Sequence, residues 1–323
     1  MASGEFDLIQ RYFQSPKKRT DVLLGIGDDC AITSIPAGKR LAITTDTLID
    51  GVHFPPRTAP DDIAVKAVAV NLSDLAAIGA TPAWLTLALS MPHVDQRWIK
   101  SFADAFKRMA GRFDAELIGG DTCQGPLSLT VQALGLIDDE RSMRRDRAQP
   151  GDLIYVSGTL GDAAAGLKIL QRSPIAGDDE AWLVNRLNRP EPRVELGVRV
   201  AEFCRCAIDI SDGLVADLGH VLAASQCGAT VYKDRIPLSR QLIAHAGGRD
   251  ALDWDLVLAG GDDYELCLVV APDKDNELMR LSSELALPLT RIGVIVEQRS
   301  LRIVDPSGAE YLVDQSGYQH FVS

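Results

Sequence analysis

Aspartates set between glycines and apolar runs are the residues of this chain best suited to chemistry. GIGDDCAI carries Asp28 and Asp29, TTDTLIDGVHF puts Asp46 inside a strand-like run, and NLSDLAAIGA puts Asp74 in an alanine-rich helix. IGGDT adds Asp121, and AIDISDG adds Asp209 and Asp212. A carboxylate in apolar surroundings costs several kcal/mol unless it is paired or holds a cation. Few lysines or arginines stand near these acids in the sequence. Oxygen ligands drawn from separate segments suit Mg2+, a hard ion that keeps water and shares its coordination with substrate phosphates. Structural uses compete at each position. Asn71 and Asp74, three residues apart, share a helix face, where Asp74 also fits a capping or hydrogen-bonded acid. Ser211 or Asp212 fits an N-cap where a strand turns into a helix. Asp46 has fewer such uses, because strands are depleted in aspartate.

No other phosphate-handling signature is present. The chain has no DxDxDG calcium loop, no GxxxxGK[ST] loop, and no HRD or DFG set; GIGDDC holds only the first two glycines of GxGxxG. SGTLGDAAAG (157–166) reads as a turn with an N-cap at Asp162 in preference to a phosphate cradle. The net charge of −12 and pI near 4.9 exclude a nucleic-acid partner, since that affinity rests on lysines and arginines neutralising phosphates. An acidic chain that binds polyphosphates needs divalent cations between its carboxylates and the ligand.

The elements that must position these acids are legible in outline. Strand-like runs cover 41–49, 84–91, 127–137, 152–158, 207–211, 265–270 and 291–296, rich in Val, Ile, Leu and Thr with Gly or Pro nearby. Helical patterns cover 60–78, 98–109, 162–171, 193–204, 212–225 and 275–284. Strands outnumber helices early and alternate with them later, so the fold is read as mixed α/β in two layers. Its 323 residues, 46% of them hydrophobic, fill two domains. The basic stretch 141–152, ending in Pro150-Gly151, is the expected boundary, giving domains 1–149 and 150–323. Gly-Gly-Asp follows an apolar run twice, at 119–121 and 260–262, a resemblance that chance also produces. Six scattered cysteines without a CxxC pair read as reduced, mostly buried thiols. With no apolar run of signal-peptide or membrane-spanning length, the expectation is a cytoplasmic protein without a membrane partner.

An ordered set of segments then narrows the reading: GEFDLIQRYF, GIGDDCAI, TTDTLIDGVHF, AVNLSDLAAIGATPAWLTLAL, LIGGDT, IDISDGLVADLGH, GGDDYELC and GYQHF. Together they resemble the thiamine-monophosphate kinases, from near the start of the chain to its last residues. That family sits in a superfamily similar to aminoimidazole ribonucleotide synthetase, selenophosphate synthetase and a hydrogenase maturation protein. The resemblance implies a two-domain α/β subunit and a homodimer formed through strands of the N-terminal domain. It also implies transfer of the ATP γ-phosphoryl group to thiamine monophosphate with Mg2+. By motif, Asp29, Thr44, Thr45, Asp46, Asp74, Asp121, Asp209 and Asp212 match metal positions. Gly120, Asp121, Arg145 and Ser211 match nucleotide positions, and His53, Asp262 and Tyr318 match positions that contact the thiamine substrate. The family commonly has Glu where this chain has Asp262, one methylene shorter. Two other readings stand beside it: a related ATP-dependent enzyme acting on an amide or selenide acceptor, and a non-catalytic magnesium-nucleotide binder. The first cysteine, Cys30, follows Asp29, which disfavours selenide chemistry.

Overall fold

The computed structural model describes residues 5–14, 18–138, 141–172, 174–313 and 317. The chain divides into two compact units, Met1–Leu75 with Ala80–Glu140, and Ala76–Gly79 with Arg141–Ser323.

The first unit runs α1 (Glu5–Leu8), a π-helical turn (Ile9–Phe13), β1 (Val22–Leu24), β2 (Ile32–Thr33), β3 (Lys39–Ile49), α2 (Pro60–Ile78), β4 (Thr81–Met91), α3 (Gln96–Arg112), β5 (Glu116–Gln124) and β6 (Ser128–Asp138). Its main sheet has the order β3-β6-β4-β5 and is antiparallel except for the β4–β5 pair. β6 buries Leu129, Val131, Ala133 and Ile137 at every second position, the period of a half-covered strand. α2 is apolar on nearly every side and almost wholly buried, as a helix without a polar face must be. Gly135 of β6 makes room for it: a Cβ there would lie 3.1 Å from the Leu75 methyls. That close approach lays the C-terminal half of α2 on the sheet and turns Asn71 and Asp74 toward β3. α3 starts at an N-cap, Asp95, whose carboxylate accepts the Arg97 and Trp98 N–H groups. It buries Ile99, Phe102 and Phe106 at helical spacing, with Trp98 stacked on Phe102. Each such buried side chain contributes roughly 1.5–3 kcal/mol.

The second unit runs β7 (Leu153–Ser157), α4 (Asp162–Arg172), α5 (Gly177–Asn188), α6 (Val194–Val200), β8 (Cys206–Ile210), α7 (Leu214–Ser225), β9 (Gly228–Tyr232), α8 (Arg240–Ala246), α9 (Trp254–Ala259), β10 (Glu265–Val270), α10 (Asp275–Leu285), β11 (Leu289–Val296), β12 (Leu301–Val304) and β13 (Glu310–Tyr311). Its seven-stranded sheet has the order β13-β12-β9-β11-β7-β10-β8 and is antiparallel except for β9–β12. β7, β8 and β10 are buried at every position, so they read as continuous apolar runs with no alternation. Ile154, Val156, Ile208, Ile210, Leu218, Val221 and Cys267 share the core between sheet and helices.

The expected mixed helix-and-sheet class is what forms. Besides the short strands β1, β2, β9, β12 and β13, one long strand was not expected: β5 passes through Gly119-Gly120-Asp121, although glycine weakens strands. Here β4 and β5 backbones approach so closely that a Cβ on Gly120 would fall 1.9 Å from the Leu87 carbonyl oxygen. The second Gly-Gly-Asp is a loop leading into β10, so the two echoes are structurally unlike. All six cysteines are free; Cys204, Cys206, Cys227 and Cys267 are buried, whereas Cys30 and Cys123 are exposed. Among the described residues no helix is long and apolar enough to cross a membrane.

Candidate functional site

In the first unit, β3 and α2 bring three of the sequence-derived residues together. Strand alternation places Thr44 and Asp46 on the same face of β3, toward α2. The Thr44 hydroxyl donates to the Asp74 carboxylate, and the Asp46 N–H donates to Asn71 Oδ1 at 3.2 Å. Burial, and then the charge of Asp74, push the Asp46 carboxyl up to about 6. Two carboxylates sharing a half-buried site form an environment that a divalent cation relieves, and their oxygens are donors of the hardness Mg2+ takes. Among the described residues no three His, Cys, Asp or Glu side chains are assembled as a ready-made metal cage. Mg2+ does not require one, because it usually takes one or two carboxylates and fills its sphere with water and phosphate oxygens. Thr45 is not part of this group through its side chain. It lies on the opposite face of β3, where its hydroxyl accepts from Gln132 Nε2 at 3.3 Å.

A second set meets at a cavity of about 620 Å3 in the same unit, lined in part by Asp28, Asp29, Leu87, Gly120, Asp121 and Thr122. Asp29 and Asp121 are exposed there, and the Asp29 N–H is held by Asp28 Oδ1 at 2.8 Å. Gly120, with φ 151°, gives the cavity a wall of bare backbone. His53 lies in the turn after β3. Its Nδ1 accepts the Ile49 N–H at 3.0 Å, which puts the proton of the neutral ring on Nε2 and makes that atom a donor. The buried Lys66 ammonium donates to the His53 carbonyl at 3.1 Å and fixes the turn.

In the second unit the strand-to-helix switch from β8 to α7 carries Asp209, Ser211 and Asp212. Asp209 is buried on β8, opposite Leu266 of β10. Neither Ser211 nor Asp212 serves as the N-cap; that position is Gly213, at φ 112°. The N–H groups of Ser211, Asp212 and Gly213 all donate to Asp217 Oδ2, at 2.9, 3.0 and 3.1 Å. Burial pushes the Asp217 carboxyl up to about 7. The loop after α9 pairs with this switch: Asp262 N–H donates to Ser211 O and Tyr264 N–H to Ile210 O, both at 2.8 Å. Asp262 therefore stands beside Ser211 and Asp212. It and Tyr264 have φ of 70° and 51°, a left-handed conformation that costs a non-glycine residue roughly 1–2 kcal/mol. Arg145 belongs to the same unit, with an exposed side chain and a main-chain carbonyl that accepts the Ser225 hydroxyl at 2.8 Å. Tyr318 lies outside the described residues.

The residues that sequence reasoning passed over are the ones that hold this loop. Asp263 is buried; its Oδ2 accepts the Gly161 N–H at 2.7 Å and its Oδ1 the Ala163 N–H at 3.3 Å. Asp162, expected as an N-cap, is instead the first residue of α4, and its buried carboxylate accepts the Ser239 and Thr159 hydroxyls. Glu265 accepts from Ser157 Oγ at 2.6 Å, from Arg186 at 2.9 Å, and from two nitrogens of Arg193. The string GGDDYE carried the signal, for it places two further acids directly before an apolar strand.

Comparison with known proteins gives the family and the fold. Residues 27–137 match the model of the AIR synthase related protein, N-terminal domain, and residues 149–306 that of the AIR synthase related protein, C-terminal domain. The chain is 46% identical over 326 residues to the thiamine-monophosphate kinase of Escherichia coli K12, covering 100% of both chains. The crystal structure of thiamine-monophosphate kinase from Stenotrophomonas maltophilia superposes with a TM-score of 0.84 at 50% identity, over 88% of this chain and 92% of that one. A solved structure of AaThiL complexed with AMPPCP and TMP superposes with a TM-score of 0.79 at 30% identity, over 98% and 97%.

Proposed function

Because this chain belongs to the thiamine-monophosphate kinases within the AIR synthase related family, we propose that it transfers the γ-phosphoryl group of ATP directly to the phosphate of thiamine monophosphate. An oxygen of the acceptor phosphate forms the new bond to the γ-phosphorus. The bond from that phosphorus to the β,γ-bridging oxygen breaks, and ADP leaves as thiamine diphosphate forms. A phosphate monoester is already largely ionised near pH 7, its second pKa being about 6, so a strong general base is unnecessary. The work is positioning and charge neutralisation. The observation that carries the reading is the full-length likeness to a kinase bound to an ATP analogue together with TMP.

The residues divide that work. Asp46 and Asp74, with the Thr44 hydroxyl fixing the latter, are the pair that would hold Mg2+ in the first unit, joined by Asp29 and Asp121 at the cavity and by Thr45 through its main-chain carbonyl. Asp209 and Asp212 are the donors of the second unit. When bound, Mg2+ would neutralise the phosphate charges and stabilise the departing ADP. Gly120 leaves bare backbone beside the nucleotide, Ser211 offers its hydroxyl, and the Arg145 guanidinium grips phosphate oxygens. His53 Nε2–H donates to the acceptor, and the Asp262 carboxylate faces the positively charged thiamine ring, with Tyr318 as a further contact. The homodimer forms through the exposed edge of β3, where Ile43 is 57% exposed on an outer strand of the sheet.

An ADP-release assay across thiamine, thiamine monophosphate and aminoimidazole ribonucleotide precursors, with Mg2+ varied, tests the reading. Turnover is expected with thiamine monophosphate alone and only with Mg2+ present. Turnover confined to an unrelated acceptor overturns it.

A further inference from the structure

We propose that Asp263 is a positioning residue for the acceptor: it holds the strained segment Asp262–Tyr264 in the one conformation that presents the Asp262 carboxylate. The inference rests on the reading of Asp262 as an acceptor contact.

Two left-handed residues in three reverse the chain between α9 and β10, and Asp263 is the residue between them. Its side chain is turned inward, 2% exposed, and both carboxylate oxygens accept main-chain N–H groups at the start of α4. The start of α4 thus receives its acceptors from this loop, while the nearby Asp162 takes two hydroxyls instead. On the other side of Tyr264, Glu265 is clamped by Ser157, Arg186 and Arg193. Anchored before and after, Tyr264 directs its hydroxyl to Asp262 Oδ1 at 3.2 Å. Gly261 completes the device from the opposite side, since a Cβ there would lie 2.3 Å from Ser211 O. A short aspartate at 262 has one torsion fewer than glutamate with which to correct its aim. Its carboxylate is therefore placed by the backbone, and the backbone is placed by Asp263.

Asp263→Asn keeps shape and volume but leaves a single acceptor for two N–H donors. Tyr264→Phe removes only the hydroxyl that steers Asp262. Both variants of the full chain are compared with the native enzyme by steady-state kinetics and by amide hydrogen exchange. Asp263→Asn is expected to raise KM for thiamine monophosphate by ~10-fold while KM for ATP stays within ~2-fold. The Asp262 and Tyr264 amides should exchange more than ~10-fold faster, with β7 and β11 amides unchanged. Tyr264→Phe should raise KM for thiamine monophosphate by ~3-fold without altering exchange in the sheet. Equal losses toward both substrates, or unaltered exchange at Asp262 and Tyr264, overturn the assignment; if Asp263→Asn does not fold, an unaltered KM in Tyr264→Phe does so. A native enzyme that ignores thiamine monophosphate, with the exchange effect of Asp263→Asn intact, retains the anchor and discards the acceptor.

Discussion

Replacing Asp46 by Asn should make the metal-free protein more stable and the enzyme inactive, an opposition expected of a carboxylate kept for function. Asp46 titrates near 6 in the folded chain against an ordinary 3.8, because it is half-buried and faces Asp74. As pH rises through 3.8 the unfolded chain releases this proton while the folded chain keeps it until about 6. The group's stabilising contribution is therefore complete below 3.8 and lost by pH 6 and above. At about 1.36 kcal/mol per pH unit the loss reaches about 3 kcal/mol, and solvent screening of a half-buried group trims it to roughly 1–3 kcal/mol. Asparagine is neutral throughout, and the hydrogen bond from the Asp46 main chain to Asn71 survives the change. Urea unfolding in EDTA should show the variant ahead by that margin at about pH 7.5, with the gap closing near pH 4. Added Mg2+ should then stabilise the native chain more than the variant. Turnover should fall by about 100-fold or more. A variant less stable at pH 7.5, a gap equal at both pH values, or near-native turnover refutes the reasoning.

Two further substitutions probe other parts of the site. Gly120→Ala would thrust a Cβ to 1.9 Å from the Leu87 carbonyl at φ 151°, so β5 must move off β4; we expect a loss of about 2–4 kcal/mol by urea unfolding and a raised KM for ATP. Native stability with native ATP affinity would count against both the close approach and the nucleotide role. Ile43→Lys charges the open edge of β3 and should convert a sedimenting dimer into a monomer without unfolding the subunit; a native chain that sediments as a single copy dismisses that interface.

Much of the frame was legible because its signals are local. The apolar runs that became β3, β4, β6, β7, β8, β10 and β11 are dense in branched residues, and their ends differ from expectation by a few residues. α2 was marked by Pro60-Asp61 at its start and Gly79 after its end. α5 and the short strands β9, β12 and β13 had no such signal, since their sequences are polar or brief and tertiary pairing decides them. The dyad of Asp46 and Asp74 was half legible: helix spacing put Asn71 and Asp74 on one face, but only packing brought that face to β3. Thr45 shows the converse, for motif alone cannot say that strand alternation turns its side chain away. The string GGDDYE marked Asp263 and Glu265 as acids beside an apolar strand, but their roles, like that of Asp217, were not legible, because each holds groups supplied by tertiary structure.

Those illegible acids bear on how a chain of net charge −12 handles two phosphate compounds. A helix N-terminus is an anion site when its N–H groups are open, and α4 and α7 both begin near the residues proposed to bind substrate. At each start a carboxylate of the protein takes several main-chain N–H groups, Asp263 those of Gly161 and Ala163 at α4 and Asp217 those of Ser211, Asp212 and Gly213 just before α7. Those N–H groups thus offset buried negative charge within the protein. On the proposed reading, phosphate recognition at these segments would rest on side chains, the Asp209 and Asp212 oxygens through a divalent cation and the hydroxyl of Ser211 directly. Among the described residues the buried acids thus differ in what they hold: Asp217 and Asp263 take main-chain N–H groups, Asp162 takes two hydroxyls, Glu265 is paired with arginines, and Asp209 is the one proposed to serve a cation.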